Sequence, residues 1–244
     1  MSETWIVLGA TSSMARAFSR LAAEKGHDLI LAGRDIEDLE RQAGDLALRH
    51  GISAKAARFD ARDAKTFDPI LKGLPDTGLI SAAVFVGSMP EQSAIDEDPA
   101  LVDGTIMDSF TGPARFLTAL APIMEDRKGG TVVGVGSVAG DRGRLGNYVY
   151  GAAKAGFHTY MSGLRNRLTR SGGHAVTVKP GFVDTAMTWG IEGMFLVASP
   201  EDVARDIFRA VEKKKDVLYT PFFWRYIMLI IRSVPERIFK KLSI

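Results

Sequence analysis

The chain has 244 residues, of which 46% are hydrophobic and 25% are charged, with a net charge of +2 and no cysteine. This composition is typical of a globular protein with a full apolar core, and it excludes disulfide bonds and cysteine-ligated metal sites. No segment reaches the roughly 18 apolar residues of a membrane-spanning helix, and the first predicted strand begins at about Trp5, which leaves no room for a signal peptide.

Apolar runs alternate with segments of helical periodicity along most of the chain. The first strand covers Trp5 to Leu8, and apolar residues from Met14 to Leu21 then recur at helical spacing before a stop at Gly26. Later strands are predicted over 28–32, up to about 60, and over 79–86, 131–135, 175–179 and 217–220; later helices are predicted over 36–50, 99–125, 147–170 and 200–215. Strands that alternate with helices indicate a parallel sheet covered on both faces. We therefore predict one α/β domain over residues 1–221 with a doubly wound, parallel, seven-stranded sheet.

A turn of small residues, Gly9-Ala10-Thr11-Ser12-Ser13-Met14, links the first strand to the first helix. Small residues let the backbone approach a pyrophosphate, and the amino terminus of the helix offers free N–H groups to it. The alternative is an ordinary serine-capped helix start. The turn makes Gly9, Thr11, Ser12, Ser13 and Met14 candidate cofactor-binding residues.

Gly33-Arg34-Asp35 follows the second strand, where a dinucleotide-binding fold contacts the adenosine ribose. An acidic residue there binds the ribose 2′-hydroxyl of NAD, whereas an arginine accommodates the 2′-phosphate of NADP. Arg34 comes first after the strand, and its permanent charge and forked donors suit a phosphate. We predict NADP(H) rather than NAD(H); the alternative is that Arg34 is a solvated loop arginine.

Three side chains with complementary chemistry follow the fifth strand: Ser137, Tyr150 and Lys154. On a helix, Tyr150 and Lys154 stand at positions i and i+4 and share a face. An ammonium group beside a phenol lowers the phenol pKa from about 10, so that the phenol can exchange a proton near neutral pH. Ser137 follows an apolar strand, whose carboxyl end faces the ligand crevice of an open α/β sheet. A tyrosine that merely packs over a lysine stem is the alternative.

These features, together with Pro180-Gly181 after the sixth strand, resemble the classical short-chain dehydrogenase/reductase family over about residues 4–220. The resemblance implies a Rossmann-type fold, a homodimer or homotetramer, and an NAD(P)(H)-dependent reaction at a ketone or secondary alcohol. It implies that Tyr150 donates a proton to the carbonyl oxygen, that Ser137 hydrogen-bonds the same oxygen, and that Lys154 lowers the tyrosine pKa and bonds the nicotinamide ribose. It also implies cofactor contacts from Asp60 to the adenine, from Thr185 to the nicotinamide carboxamide, and from Gly87, Pro180, Gly181 and Val183.

The chain departs from the family pattern at three places. The Gly-x-x-x-Gly-x-Gly turn keeps only Gly9, with Ser13 and Ala15 in place of the later glycines. Only Gly87 remains of the usual Asn-Asn-Ala-Gly after the fourth strand. The family's catalytic asparagine, which kinks the long helix and holds a water, aligns with Ser109. A serine can bond the preceding turn and bend a helix, so Ser109 is the candidate replacement, and whether it serves the proton relay stays open.

The residues between Thr185 and Pro200 are few and apolar. They belong either to the core or to a wall beside the nicotinamide; the apolar members are Met187, Trp189, Met194, Phe195, Leu196 and Val197.

Beyond residue 221 the chain leaves the family pattern and becomes basic. From Lys213 onward there are eight basic and two acidic side chains, a net charge of +6, so the rest of the chain carries −4. Residues 222–244 combine a wide apolar arc with arginine, lysine and tryptophan, which suits a helix that lies in a membrane interface. We predict a C-terminal amphipathic helical extension that touches an anionic membrane, a polyprenyl-type substrate, or both. Packing over the body of the protein or against a dimer partner is the alternative. The tail and the first turn are also similar to reductases of the decaprenylphosphoryl-ketopentose (2-keto-erythropentose) type, which act on polyprenyl-linked sugars.

We therefore predict a cytoplasmic NADP(H)-dependent carbonyl reductase or alcohol dehydrogenase that acts on a small-molecule or lipid-linked substrate. Peripheral contact with the inner face of the membrane stays open, and we expect neither a nucleic-acid partner nor a metal site. Two alternatives are a non-catalytic dinucleotide-binding sensor and a membrane-associated assembly partner whose working part is the tail. The presence of Ser137, Tyr150 and Lys154 argues against the sensor.

Overall fold

In a computed structural model, which describes residues 3–185 and 196–242, the strands form one sheet with helices on both faces. The strands are β1 (Glu3–Leu8), β2 (Asp28–Gly33), β3 (Ala54–Arg58), β4 (Leu79–Val84), β5 (Thr131–Val135), β6 (His174–Pro180) and β7 (Val217–Thr220). Their order is β3-β2-β1-β4-β5-β6-β7, and every neighbouring pair is parallel. The order reverses between β1 and β4, which is the switch point where such sheets bind ligands. The predicted Rossmann-type sheet of seven strands is confirmed.

The helices connect successive strands and cover both faces of the sheet. They are α1 (Ser13–Glu24), α2 (Ile36–His50), α3 (Phe67–Lys72), α4 (Gln92–Glu97), α5 (Leu101–Ile106), α6 (Gly112–Asp126), α7 (Tyr148–Leu168), α8 (Pro200–Glu212), α9 (Trp224–Ser233) and α10 (Glu236–Phe239). Helices α3 and α4 have no predicted counterpart, because six residues are too few to show a helical period.

The helix predicted over 99–125 is interrupted by a wide π-type turn, Met107–Thr111, between α5 and α6. Such turns insert one residue into a helix and are frequent at functional sites. Ser109 lies inside the turn, and its hydroxyl exchanges hydrogen bonds with the backbone N–H and C=O of Ser88, at 3.2 and 3.1 Å. The helix is therefore irregular at Ser109, but the hydroxyl bonds the loop after β4 and not the preceding turn.

Each face of the sheet carries a buried aromatic cluster. On one face Phe18 stacks on Phe208 with ring centroids 4.7 Å apart, and Trp5 meets Phe18 edge-on at 5.1 Å. On the other face Phe59 stacks on Phe67 at 5.2 Å. Because both faces are covered by apolar packing, the strands are held firmly and fix the loops at their carboxyl ends.

Residues 222–242, called the arm below, continue beyond β7 as α9 and α10. The inner face of the arm buries Trp224 and Met228 in a small apolar cluster with Val138 and Phe182. Val138 directly follows Ser137, and Phe182 directly follows Gly181. The inner face of the arm is therefore seated on two loops at the carboxyl end of the sheet.

Arg142 fastens the arm to the loop that follows Ser137. Its guanidinium donates to the carbonyl oxygens of Ile231 and Val234 at 2.6 and 2.7 Å, and to the carboxylate of Glu236 at 2.8 Å. The same group lies 3.6 Å above the ring centroid of Phe239. The last carbonyls of a helix have no partner within the helix, so Arg142 satisfies the end of α9 and also stacks on α10.

The outer face of the arm presents apolar side chains. Phe222, Tyr226, Leu229 and Ile230 are between 60% and 73% exposed. Among the helices within residues 3–185 and 196–242, none is long and apolar enough to cross a membrane.

Candidate active site

The structure brings Ser137, Tyr150 and Lys154 together at the carboxyl end of β5. Tyr150 and Lys154 leave the first turns of α7 on one face and are 6% and 4% exposed. The Ser137 hydroxyl lies near the Tyr150 phenol, whose pKa it lowers, and accepts from the N–H of Ala139 at 3.1 Å. The Lys154 ammonium lies 5.8 Å from the centroid of the Tyr150 ring. The predicted trio is therefore one cluster, in which Tyr150 and Lys154 are buried and Ser137 is partly buried.

Lys154 is held by backbone carbonyls from two neighbouring strand ends. Its Nζ donates to the carbonyl of Val135, the last residue of β5, at 3.1 Å, and to that of Val86, beyond β4, at 3.4 Å. Burial disfavours the charged form of a lysine, and it lowers the pKa of Lys154 to about 8. Lys154 thus stays mostly charged at neutral pH and loses its proton in mildly alkaline solution.

The prediction that the pKa of Tyr150 lies below its ordinary value is wrong for the protein chain alone. Burial raises the pKa of Tyr150 to about 12, and the nearby Ser137 hydroxyl offsets only part of that effect. Desolvation disfavours a phenolate, and this outweighs an ammonium group 5.8 Å from the ring centroid. Tyr150 therefore holds its proton throughout the neutral range.

The side chains of Ser109 and Lys154 both approach Gly87. A Cβ on Gly87 would lie 3.1 Å from the Lys154 Nζ and 3.4 Å from the Ser109 Oγ. The π-type turn thus places a hydroxyl group close to the buried ammonium, at the position that aligns with the family's asparagine.

A cavity of about 380 Å³ lies at the switch point between β1 and β4. Six of the predicted cofactor-binding residues line it: Gly9, Thr11, Ser12, Arg34, Asp60 and Gly87. The remaining lining residues include Gly33 at the end of β2, Phe85 and Val86 after β4, and Asp108 in the π-type turn. The cavity is lined by the turn after β1, the end of β2 and the loops after β3 and β4, which together form one site.

The turn after β1 has the shape of a phosphate cradle. Gly9 has a φ of +76°, and a Cβ there would come within 3.1 Å of the Phe85 carbonyl carbon, so a glycine is required. Ser12 caps α1 by accepting from the N–H of Ala15 at 3.3 Å. Ser13 and Met14 form the start of α1 and do not line the cavity. The serine-capped helix start is present, and it coexists with an open cavity above the turn.

Arg34 lines the cavity and is exposed. It makes no ion pair or hydrogen bond with any residue in 3–185 or 196–242, whereas Asp35 caps α2 by accepting from the N–H of Asp38 at 3.1 Å. Arg16 is paired with Asp38. At the end of β2, Arg34 is thus available for a ligand while the neighbouring carboxylate is engaged in the cap.

The loop after β6 lies at the same edge of the sheet but outside this cavity. Pro180 ends β6, and the N–H of Gly181 donates to Thr220 at 3.0 Å. Val183 forms a bridge with Ala198, and Thr185 is half-buried. Met187, Trp189, Met194 and Phe195 lie outside the described residues; Leu196 and Val197 are 56% and 43% exposed, so these two are not core residues.

The site also contains groups that were not predicted: the carbonyls of Val86 and Val135 and the side chains of His158 and Asp141. A backbone carbonyl has no signature in sequence. His158 could have been found, because it stands at i+8 from Tyr150 and therefore on the same helical face.

The residues present fit a dinucleotide. The glycine turn, the start of α1 and the free arginine suit two phosphates and a 2′-phosphate. Ser137, Tyr150 and Lys154 lie beyond the loop that carries Gly87. Gly87 itself borders both the cavity and Lys154.

Comparisons with known proteins identify similar chains. Residues 3–194 match the family described as short chain dehydrogenase. An uncharacterised oxidoreductase of Mycobacterium tuberculosis is 31% identical over 239 residues, which cover 97% of this chain and 96% of the relative. A short-chain dehydrogenase from Sphingobium yanoikuyae, solved with NADPH, superposes with a TM-score of 0.81 at 22% identity and 97% coverage of both chains. A variant of the actinorhodin polyketide ketoreductase with NADPH gives a TM-score of 0.80 at 20% identity, with 91% of this chain and 97% of that chain covered.

Proposed function

This chain belongs to the short-chain dehydrogenase family of oxidoreductases, and we propose that it uses NADP(H) to reduce a ketone or to oxidise a secondary alcohol. The observation that carries the proposal is the clustering of the Ser137 hydroxyl, the buried Tyr150 phenol and the buried Lys154 ammonium at the carboxyl end of β5. A phenol, a hydroxyl and a cation gathered at one point suit proton transfer to an oxygen atom that gains negative charge.

The three side chains divide the proton chemistry between them. Bound NADPH supplies the hydride that the carbonyl carbon receives. Tyr150 starts protonated and gives its phenolic proton to the carbonyl oxygen, while the Ser137 hydroxyl hydrogen-bonds the same oxygen and stabilises its developing charge. Lys154, charged at neutral pH, stabilises the phenolate left on Tyr150. Solvent then returns the proton, and oxidation of an alcohol is the reverse.

The cavity residues would hold the cofactor. We assign the pyrophosphate to the turn at Gly9, Thr11 and Ser12, and the 2′-phosphate to Arg34. We assign the adenine contact to Asp60 and the nicotinamide contacts to the loop from Pro180 to Thr185. Ser109 is assigned the place of the family's asparagine beside Lys154.

The proposal is tested by following NADPH oxidation with a panel of ketones that ranges from small to bulky and lipid-linked. We expect turnover with at least one ketone, and a kcat with the same ketone that is lower by about a hundredfold or more after Ser137→Ala and after Tyr150→Phe. Tight NADPH binding without turnover of any ketone would support the dinucleotide sensor and contradict the enzyme.

Arg34→Ala is expected to weaken NADPH binding about tenfold to a hundredfold while NADH binding changes little. A charge-assisted contact with a 2′-phosphate contributes about 1.5–3 kcal/mol, and NADH lacks that phosphate. Titration of both cofactors by fluorescence measures the two dissociation constants. Arg49→Ala, at the far end of α2, is the matched control and should change neither. Equal losses for NADPH and NADH would contradict the assignment of NADP(H).

We further propose an apolar or lipid-linked substrate, delivered beside the arm at a membrane surface. Two observations support this. The inner face of the arm seals the loops next to Ser137 and Gly181: a Cβ on Gly181 would lie 1.9 Å from the Trp224 indole nitrogen. The outer face is apolar, and its exposed basic neighbours include Arg225, Lys240 and Lys241. Such a surface matches an anionic bilayer, to which each basic residue adds about 1 kcal/mol.

Wild-type protein is expected to co-sediment with vesicles of phosphatidylcholine and phosphatidylglycerol at low salt, and the doubly substituted Leu229→Gln/Ile230→Gln form is expected to bind at least about tenfold more weakly. Both side chains are more than 60% exposed, so the substitution spares the inner face. Each loses an apolar contact of about 1.5–3 kcal/mol if it inserts fully. Leu48→Gln, at an exposed leucine of α2, is the matched control. If the wild type ignores anionic vesicles and the double variant instead splits an oligomer, the outer face is a contact between copies.

A further inference from the structure

His158 lies on the same face of α7 as the proposed proton donor and its lysine. Tyr150, Lys154 and His158 stand at i, i+4 and i+8, and the side chain of His158 is only 10% exposed. Its Nε2 accepts a hydrogen bond of 3.3 Å from the backbone N–H of Ser137. The last backbone hydrogen bond between the ends of β5 and β6 runs from the N–H of Gly136 to the carbonyl oxygen of Val178, at 2.7 Å. The Ser137 N–H is therefore the first donor beyond the sheet, and His158 supplies its acceptor.

The turn that carries Ser137 is shaped around the His158 ring. A Cβ on Gly136 would come 2.1 Å from the Nε2, and one on Gly140 would come 2.7 Å from the Cε1. Real Cβ atoms do not approach this closely, so the ring fills a slot that exists because both residues are glycines. Packing and hydrogen bonding together thus place the imidazole against both sides of the serine turn.

The groups around His158 keep it uncharged. Its Nδ1 faces the carboxylate of Asp141 at 3.7 Å, and that carboxylate accepts from Lys179 at 2.5 Å and from the Tyr219 hydroxyl at 2.6 Å. Burial, the charge of Lys179 and the charge of Lys154 lower the pKa of His158 to about 3, although Asp141 acts in the opposite direction. A neutral imidazole that accepts at Nε2 carries its proton on Nδ1, where it faces Asp141.

We infer that His158 is a positioning residue of the reductase: it holds the Ser137 backbone through Nε2 so that the serine hydroxyl stays directed at Tyr150. This inference rests on the proposed function, because Ser137 matters to turnover only if the chain reduces a carbonyl. His158 does not touch the reacting atoms, and its effect passes through Ser137. The serine is then restrained twice, at its N–H by His158 and at its hydroxyl by the N–H of Ala139.

Two substitutions at His158 separate hydrogen bonding from packing. His158→Leu fills part of the slot but leaves the Ser137 N–H buried without an acceptor. We expect kcat to fall about tenfold to a hundredfold, with KM and the NADPH dissociation constant within about threefold of wild type. His158→Gln offers an amide oxygen near the position of Nε2 and should recover most of the loss. His174→Gln is the matched control, because His174 lies at the amino end of β6, away from the serine turn at the carboxyl end of the sheet, and it should leave kcat unchanged.

A double-mutant cycle tests whether His158 acts through Ser137. In the Ser137→Ala background, His158→Leu should lower kcat by less than about threefold, because the group it positions is gone. Full additivity of the two losses, wild-type kcat in His158→Leu, or an equal loss in His158→Gln would each overturn the inference.

NMR tests the His158–Ser137 contact without requiring turnover, so its outcome can be distinguished from failure of the proposed reductase activity. With 15N-labelled histidine, NMR should show His158 protonated at Nδ1 and accepting at Nε2, with no titration between about pH 5 and pH 9. If no ketone is turned over and these signals are found, the proposed reductase fails while the His158–Ser137 contact stands. If His158 titrates near its ordinary pKa, the positioning inference fails whatever the activity.

Discussion

Tyr150→Phe is expected to lower kcat by at least about a thousandfold while the NADPH dissociation constant stays within about twofold of wild type. The substitution removes one hydroxyl from a side chain that is 6% exposed, so the packing of α7 is preserved. The lost proton is needed only in the chemical step, and for that reason the loss should appear in kcat. Stopped-flow or steady-state NADPH oxidation, together with a cofactor titration, measures the two quantities.

Tyr148 provides the matched control for this experiment. It lies two residues earlier on the same helix, is 45% exposed, and donates its hydroxyl proton to Asp96. Tyr148→Phe should keep close to full activity. If Tyr150→Phe retains more than about a tenth of wild-type kcat, Tyr150 is not the proton donor.

Lys154→Met is expected to lower kcat for reduction by about a hundredfold or more and to remove the alkaline decline of the wild-type pH profile. Burial lowers the pKa of Lys154 from 10.5 to about 8, so the charged form is present below that pH and is lost above it. The charge stabilises the phenolate of Tyr150, and therefore kcat/KM for NADPH in the wild type should fall about tenfold per pH unit above pH 8.

Lys154→Arg supplies the comparison that identifies the titrating group. A guanidinium stays charged throughout the accessible range, so whatever activity this variant keeps should show no decline above pH 8. An alkaline decline with the same midpoint in both Lys154 variants would assign the titration to another group. The NADPH dissociation constant, measured alongside, separates a change in cofactor binding from a change in the chemical step.

The sheet could be predicted because a continuous apolar run such as Trp5 to Leu8 indicates a buried strand in a chain where helices alternate with strands. The trio of Ser137, Tyr150 and Lys154 could be predicted because the helical period and the end of β5 each have a sequence signal. What the sequence could not provide was the outcome of burial. The direction of the Tyr150 pKa depends on how completely the phenol is desolvated, and that is a property of the packed structure.

Other features escaped prediction because the partners are distant in sequence. The π-type turn at Ser109 is tied to Ser88, 21 residues earlier. Arg142 has the sequence appearance of a solvated loop arginine, yet its partners lie about ninety residues later in the arm. The apolar period of the arm predicted an amphipathic helix, but no pattern in it says which face meets the body of the protein.

The manner in which Arg142 holds the arm has an evolutionary consequence. Three of its contacts are with main-chain carbonyls, which are the same whatever side chains residues 231, 232 and 234 carry. The outward positions of the arm can therefore drift, or be selected for a new surface, without loosening the attachment. Trp224 is under the opposite constraint, because its indole occupies the space that any side chain at position 181 would need. In homologues we expect positions 142, 181 and 224 to change together or not at all, while positions 226, 229 and 230 diverge with whatever each protein's arm has to touch.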